Sequence, residues 1–518
     1  MKTYRILFLI CLGALALRLL VLQFVQHPGT ADPNHYYNLG LRLVEGHGLT
    51  IDYIWQFNDP PDQLEHPDDY WMPVTGIVTA ASMKLFGTDV RGAVGLNIII
   101  GSLIPMLAYA AARQFGLVSV PSLLAAAFTA VLPEFVLNSV RTDTTVPNVP
   151  LFVGSCLLFI HGLRTGRALA FAGSGLLAGL SYLTRSEGAL LIPAFMLILL
   201  IHARWGRPYS APGYWRYAVL IPVLALIVTL PWFLRNLQVN GTLTTPKIEY
   251  MFFLTDYREH FVYDTELSLQ TLLASQTPQQ LIGKRLFEMA ASLKIMYTTL
   301  DIFLPIALTG GLLLLLWGRD RGRWLALSPA LLLLAGFFIF YTVLVPFKSQ
   351  GGSFKKAYLT LIPLLVPVAA YAIERVATGR SLQIGTVAIA IAFMSANAVE
   401  LVRADARAVN TYLSTAQQLS EIAHTLPDRN GDGQIVLMTQ DPFMLRFVGI
   451  RSVMYPMEDR ETVIEVANRY WVDYLLMPAA RPSLDPIFFD TEQDARFTFV
   501  QRVPATNMQF YSLNVDSG

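Results

Sequence analysis

Apolar and polar residues fall in blocks along this chain rather than alternating singly. Apolar runs recur from the N-terminus to Val399, separated by short polar stretches. A bilayer-crossing helix needs roughly 20 such residues, with about 17 as a working minimum. The pattern predicts eleven spans, at Ile6–Val25, Ala93–Ala112, Val118–Phe135, Val146–Leu163, Ala168–Leu183, Ala189–Ala203, Tyr217–Leu234, Ile302–Trp317, Leu325–Val345, Ala357–Tyr371 and Ile384–Val399. The shorter ones need residues from their flanks. Val74–Phe86 is shorter still, contains Lys84 and stops at Gly87, so it is expected to lie against the membrane face as an amphipathic or re-entrant helix.

After Val399 the pattern changes. QIVLMTQ reads as a strand, DPFMLRF as a turn with a short helix, and SVMYP as a second strand. ETVIEVANRYW has helical amphipathicity, VDYLLM reads as a strand, and FTFVQRV with QFYSLN as a hairpin. DRNGDGQ at 428–434 reads as a turn; it has no glutamate at the closing position of a calcium loop. The expected fold is therefore a polytopic α-helical membrane domain, residues 1–402, followed by a small α/β domain, residues 403–518.

Charge sets the expected orientation. Cytoplasmic loops carry an excess of Lys and Arg. With Val74–Phe86 not spanning, Lys2/Arg5, Arg113, Arg164/Arg167, Arg204/Arg207/Arg216, Arg319/Arg321/Arg323 and Arg375/Arg380 all fall on one side. Counting Val74–Phe86 as a span would put most of these arginines outside. The same topology places the other polar islands together on the outer face. These are the loop 26–91, the loop 235–301, Arg141–Asp143, Arg185–Gly188, Lys348–Lys356 and the C-terminal domain.

Composition agrees with a membrane protein, at 54% hydrophobic and 14% charged residues over 518 positions. The net charge of +1 gives no field suited to nucleic acid. Cys11 and Cys156 both sit inside apolar runs, which argues against a disulfide framework or a cysteine metal site. The N-terminal MKTYR and its apolar run look like a signal peptide, but the run is long and no small-x-small cleavage site follows, so it is expected to be retained as the first helix.

The stretch Thr30–Pro73 stands out chemically, because it is acidic and aromatic and follows the first span at once. A solvated loop is the plain reading, and a catalytic carboxylate at Asp32 the sharper one. Arg141 with Asp143, and Arg185 with Glu187, sit at span ends, where an unpaired charge at mid-bilayer would cost roughly 2.5–3.5 kcal/mol. Each pair must close a helix end or line a wet cavity.

Certain of these segments resemble a known group. An Asp-led loop after helix 1 (ADPNHYYNLGLRLVEGHGL), HPDDYWMP, MKLFG, LNSVRTD, SYLTRSEG, PWFLRN and GSFKKAYLTLIPLL resemble the GT-C superfamily of glycosyltransferases. The family 39-like protein mannosyltransferases and lipid A aminoarabinose transferases are the most similar. Two features depart from that group: Asp32 is followed by Pro33–Asn34 instead of a second carboxylate, and HPDDYWMP replaces a PPL run. Donor sugar and acceptor therefore stay open.

The resemblance implies inverting transfer of a sugar from a polyprenyl-phosphate donor to a hydroxyl of a protein, lipid or glycan at the outer membrane face. Asp32 is then the expected base. Arg185, Arg235, Lys355 and Lys356 are candidates to hold the departing phosphate, with Glu187 beside Arg185. Tyr36 and His66 could hydrogen-bond sugar or phosphate. Asp143 matches the second-loop carboxylate, and could orient the acceptor, pair with Arg141 or help bind a divalent ion. No cofactor is otherwise implied. A transporter or flippase would also place charges among spans, but no internal repeat of paired broken helices is evident. A glycolipid-binding protein without catalysis would keep the basic cluster and not need Asp32.

Overall fold

The computed structural model describes residues 2–205, 213–263, 266–318, 320–347, 352–376, 380–428, 431, 433–477, 481–504 and 506–514. Residues 348–351 of the basic segment, and residues 429, 430 and 432 of the 428–434 turn, lie outside them.

All eleven expected spans coincide with helices. Eight helices are long and apolar enough to cross a bilayer, and two bent pairs raise the number to ten. The bent pairs are Ser119–Val131 with Pro133–Ser139, turned by 53°, and Pro278–Thr298 with Phe303–Gly318, turned by 104°. The helix Ala168–Tyr182 is apolar but shorter than the others. Pro73–Phe86 forms a helix of 14 residues, too short to cross.

Local chemistry explains the first bend. Pro133 cannot donate a backbone hydrogen bond and starts the second helix, so the carbonyls before it lose their partners. Arg18, fully buried in the first helix, supplies one: its guanidinium donates to the Ala130 carbonyl at 3.0 Å and to Ser139 Oγ at 2.9 Å. Elsewhere small residues let helices touch backbone to backbone. A Cβ at Gly175 would stand 2.5 Å from the Ile221 carbonyl oxygen, and one at Gly179 2.8 Å from that of Ala225.

The helix Gly352–Val376 is the most enclosed of the eight long apolar helices and packs against Phe303–Gly318, Ser119–Val131 and Gly95–Gln114. Its first turn carries Lys355 and Lys356. The last helix, Arg380–Ala423, runs 44 residues and passes unbroken through the expected 402/403 boundary.

The C-terminal elements match the sequence pattern, with β4 (Val436–Thr439), the helix Pro442–Phe447, β5 (Arg451–Met454), the helix Arg460–Arg469, β6 (Tyr474–Met477) and the antiparallel pair β7 (Phe497–Arg502) and β8 (Gln509–Leu513). Three short strands were not expected. Within the first loop, β1 (Thr50–Ile51) pairs with β3 (His66–Pro67), while β2 (Tyr53–Ile54) leaves to join the C-terminal sheet, parallel to β5. The sheet order is β2-β5-β4-β6-β8-β7, so the first loop supplies its edge.

Replacing Arg18 with Met keeps the stem volume but leaves the Ala130 carbonyl and Ser139 without their donor. Thermal unfolding in detergent should show a loss of about 1–3 kcal/mol. Wild-type stability in Arg18→Met would show that the break does not depend on this side chain.

Candidate functional site

Four helix starts meet at one place. Asp32 is the first residue of the helix Asp32–Glu45, and Asp143 lies in the turn before Thr145–Thr165. Arg185 precedes the helical turn Ser186–Leu190, and Lys356 lies in the first turns of Gly352–Val376. Helix N-termini present unpaired N–H groups and a positive dipole end, which together favour anions.

Lys356 joins the cluster. Its ammonium donates to Asp143 Oδ2 at 2.6 Å and to Asp32 Oδ2 at 3.0 Å. The two carboxylates differ in access: the Asp143 side chain is 2% exposed and that of Asp32 42%. Asp143 Oδ1 accepts from the Thr145 N–H at 2.9 Å and the Thr145 hydroxyl at 2.8 Å. Burial alone would push the Asp143 carboxyl up, but Lys356, those hydrogen bonds and Arg185 hold it well below the usual carboxylate range. Asp32 is also held down: burial opposes this, Lys356 lowers it, and the neighbouring Asp143 charge takes back part of the effect.

Arg185 lies beside this centre. One of its terminal nitrogens donates to Thr144 Oγ1 at 2.7 Å and the other pairs with Glu187. The Tyr341 hydroxyl donates to the same Glu187 oxygen at 2.5 Å, which fixes the pair from the far side. The Arg185 Nε–H is buried and has no protein acceptor. Tyr36 is buried close to the charges; burial, Asp32 and Asp68 together raise its hydroxyl far above the ordinary tyrosine value, so it remains a donor at any physiological pH.

The remaining expected residues are placed differently. Lys355 pairs with Glu134 at 2.5 Å instead of facing the carboxylates. Arg235 donates to the Leu49 carbonyl at 3.2 Å and lies over the Trp232 ring at 4.8 Å, near Asp68 and Asp69. There the Asp69 carboxyl is pushed up to about 7 by burial and the Asp68 charge, against the pull of Arg235. His66 sits on β3 with Nδ1 3.0 Å from the Leu64 carbonyl, and contacts none of the Lys356 cluster. Asp143 does not pair with Arg141, whose guanidinium is held by Asp405 from the long last helix.

Several contributors were not anticipated. Thr144 and Tyr341 orient Arg185, and Glu134 holds Lys355. The fully buried His35 stacks on Trp71 at 3.8 Å and lies between the Tyr53 hydroxyl, at 2.6 Å, and Asp68, at 3.3 Å. Glu134 did carry a signal, as a lone carboxylate beside a proline in an apolar run. Tyr341 carried none, being one aromatic among many in a span. A divalent ion is not matched by these donors: Asp32 and Asp143 share an ammonium, and among the described residues no three His, Cys, Asp or Glu side chains could hold a metal.

Residues 65–234 match the family described as dolichyl-phosphate-mannose-protein mannosyltransferase. Among solved structures, ArnT from Cupriavidus metallidurans bound to undecaprenyl phosphate superposes with a TM-score of 0.61 at 16% identity, over 98% of both chains. The chain has the GT-C fold. The apo oligosaccharyltransferase of Archaeoglobus fulgidus shares it at a TM-score of 0.54 and 12% identity, over 92% of this chain and 69% of that one. AglB from the same organism, with an inhibitory peptide and a dolichol-phosphate, follows at 0.52 and 12%. Among curated proteins, none matches the chain by sequence.

The depressed carboxyl of Asp143 gives a pH prediction. A folded-state value below the unfolded one adds stability that is complete above the ordinary carboxylate range near 4, and is lost as pH falls through the folded value. Between pH 7 and about 3 the wild type should lose more thermal stability than Asp143→Asn, which lacks that titration. Parallel pH–stability curves for the two proteins would contradict it.

Proposed function

We propose that this chain is an inverting glycosyltransferase that moves a sugar from a polyprenyl-phosphate donor to an acceptor hydroxyl. The carrying observation is one ammonium shared by two carboxylates of unequal exposure, with the unfilled Nε–H of Arg185 alongside. Such a centre offers a base that a substrate can reach and cations that a phosphate can reach. The fold it shares with two glycosyltransferases favours this reading over a transporter.

In the reaction, the acceptor oxygen attacks the anomeric carbon from the face opposite the phosphate. The carbon–oxygen bond to the phosphate breaks, its electron pair stays with the phosphate, and the acceptor proton passes to Asp32. Asp32 takes this role because its side chain is open, whereas Asp143 is enclosed and engaged by Thr145. Arg185 offers its free Nε–H and its charge, and Lys356 a point charge, to the leaving phosphate, stabilising charge as it develops. A phosphate on Lys356 also draws the ammonium away from Asp32, which raises the carboxylate's basicity when it is needed. Lys355 and Arg235 are assigned secondary places, at the rim, because each is held by a group outside the Lys356 cluster, Glu134 and the Leu49 carbonyl. Undecaprenyl phosphate, the lipid held by ArnT, is the model we adopt for the carrier.

The basic-loop bias supports a cytoplasmic N-terminus with the site outside. Residues 403–518 are assigned as a soluble domain on that same side.

Asp32→Asn keeps size and polarity but removes most of the proton affinity. Turnover with a radiolabelled polyprenyl-phosphate sugar should drop by about 10²–10⁴-fold, with donor binding largely kept. Wild-type turnover in purified Asp32→Asn would remove Asp32 from the chemistry.

A further inference from the structure

The helix that begins with Asp32 has no side-chain cap at its own start. Ala31 precedes it with φ +54°, a region unfavourable to residues other than glycine, and provides no side-chain cap. The start is held from outside instead. The Thr142 hydroxyl donates to the Pro33 carbonyl on the membrane side. On the other side stands the C-terminal helix Pro442–Phe447, whose Phe443 carbonyl accepts from the fully buried Asn34 Nδ2 at 2.8 Å.

The same short helix grips the catalytic helix a second time, further along. Arg446 Nε donates to Asp52 Oδ1 at 2.6 Å, and Asp52 Oδ2 pairs with Arg42 at 3.1 Å, with the Arg42 side chain 3% exposed. Between the two contacts the Phe447 ring lies 5.3 Å from that of Tyr37. Asn34, Tyr37 and Arg42 therefore meet one partner along one face. That partner is itself fixed: Asp441 caps it through the Met444 N–H at 3.2 Å and accepts from Tyr412 of the long last helix at 2.9 Å. Directly after Asp52, β2 is drawn into the C-terminal sheet.

We infer that the C-terminal domain is a positioning element of the active site, acting through Asn34–Phe443 and Arg42–Asp52–Arg446 to hold the Asp32 helix in register. The inference rests on Asp32 being the base. Asn34, Asp52 and Arg446 are positioning residues, since none touches the Lys356 cluster. A misplacement of about 1 Å in a reacting group can cost as much as 10²-fold in rate, so a loosened clamp should appear in turnover before it appears in substrate affinity.

The test uses the full-length protein with Arg446→Ala, Arg446→Lys and Asn34→Ala, reading kcat, KM and amide hydrogen exchange of residues 34–45. Arg446→Ala and Asn34→Ala should speed that exchange and lower kcat about 10-fold, with KM within about twofold. Arg446→Lys should recover most of both, because an ammonium still reaches Asp52. Unchanged exchange in both alanine variants would overturn the clamp, and faster exchange with unchanged kcat would reduce it to a structural contact. Should Arg446→Ala fail to fold, Asn34→Ala decides, since it unpairs no charge. If the wild type transfers no sugar to any acceptor, the enzyme reading fails, and the exchange data still decide whether the clamp exists.

Discussion

Everything at the site depends on the Lys356 ammonium. Two carboxylates set near each other at helix ends repel, and neither the two Thr145 hydrogen bonds nor the helix dipoles would hold both ionised. Lys356 neutralises that repulsion and ties the first loop, through Asp32, to the second, through Asp143. Removing one partner from a buried ion pair typically costs roughly 3–5 kcal/mol. The bundle is built to keep the lysine in place. Its helix is the most enclosed of the eight long apolar helices, and Gly311 of the neighbouring helix lies so close that a Cβ there would stand 2.2 Å from the Val368 carbonyl oxygen.

A second layer supports the first. Arg185 is oriented on three sides, by Thr144, Glu187 and, through Glu187, Tyr341. Tyr341 lies in the π-helical turn Phe340–Leu344, where the extra residue rotates the helix face as the span ends. Glu134 begins the helix that Pro133 starts after the bend, and holds Lys355. Arg18 satisfies the carbonyl that the bend frees, more than a hundred residues away in sequence.

How much of this could be read from the chain depends on range. Spans were legible because each is a continuous apolar block, and the C-terminal strands because runs such as VLMT and YLLM have no competing helical period. Asp32, Asp143, Arg185 and Lys356 were legible as charges at span ends, where lipid makes an idle charge costly. Their partners were not. Arg141 sits beside Asp143 in sequence yet pairs with Asp405, because its helix end faces the long last helix. His35 and His66 both lie near carboxylates in sequence, yet His35 sits on the Asp32–Glu45 helix stacked on Trp71, while His66 sits on β3 against the Leu64 carbonyl. β2 is two residues long, too short for any periodic signal, and its place in a sheet formed by residues past 435 is a purely tertiary event.

The shared ammonium also defines what a bound donor must do. A structure of the protein with undecaprenyl phosphate is the most direct test. The account predicts phosphate oxygens about 3 Å from both Lys356 Nζ and Arg185 Nε, with Asp32 released from the lysine and Asp143 still bound to Thr145. A phosphate seated against Arg235 or Lys355 alone, with Lys356 still bridging Asp32 and Asp143, would contradict it.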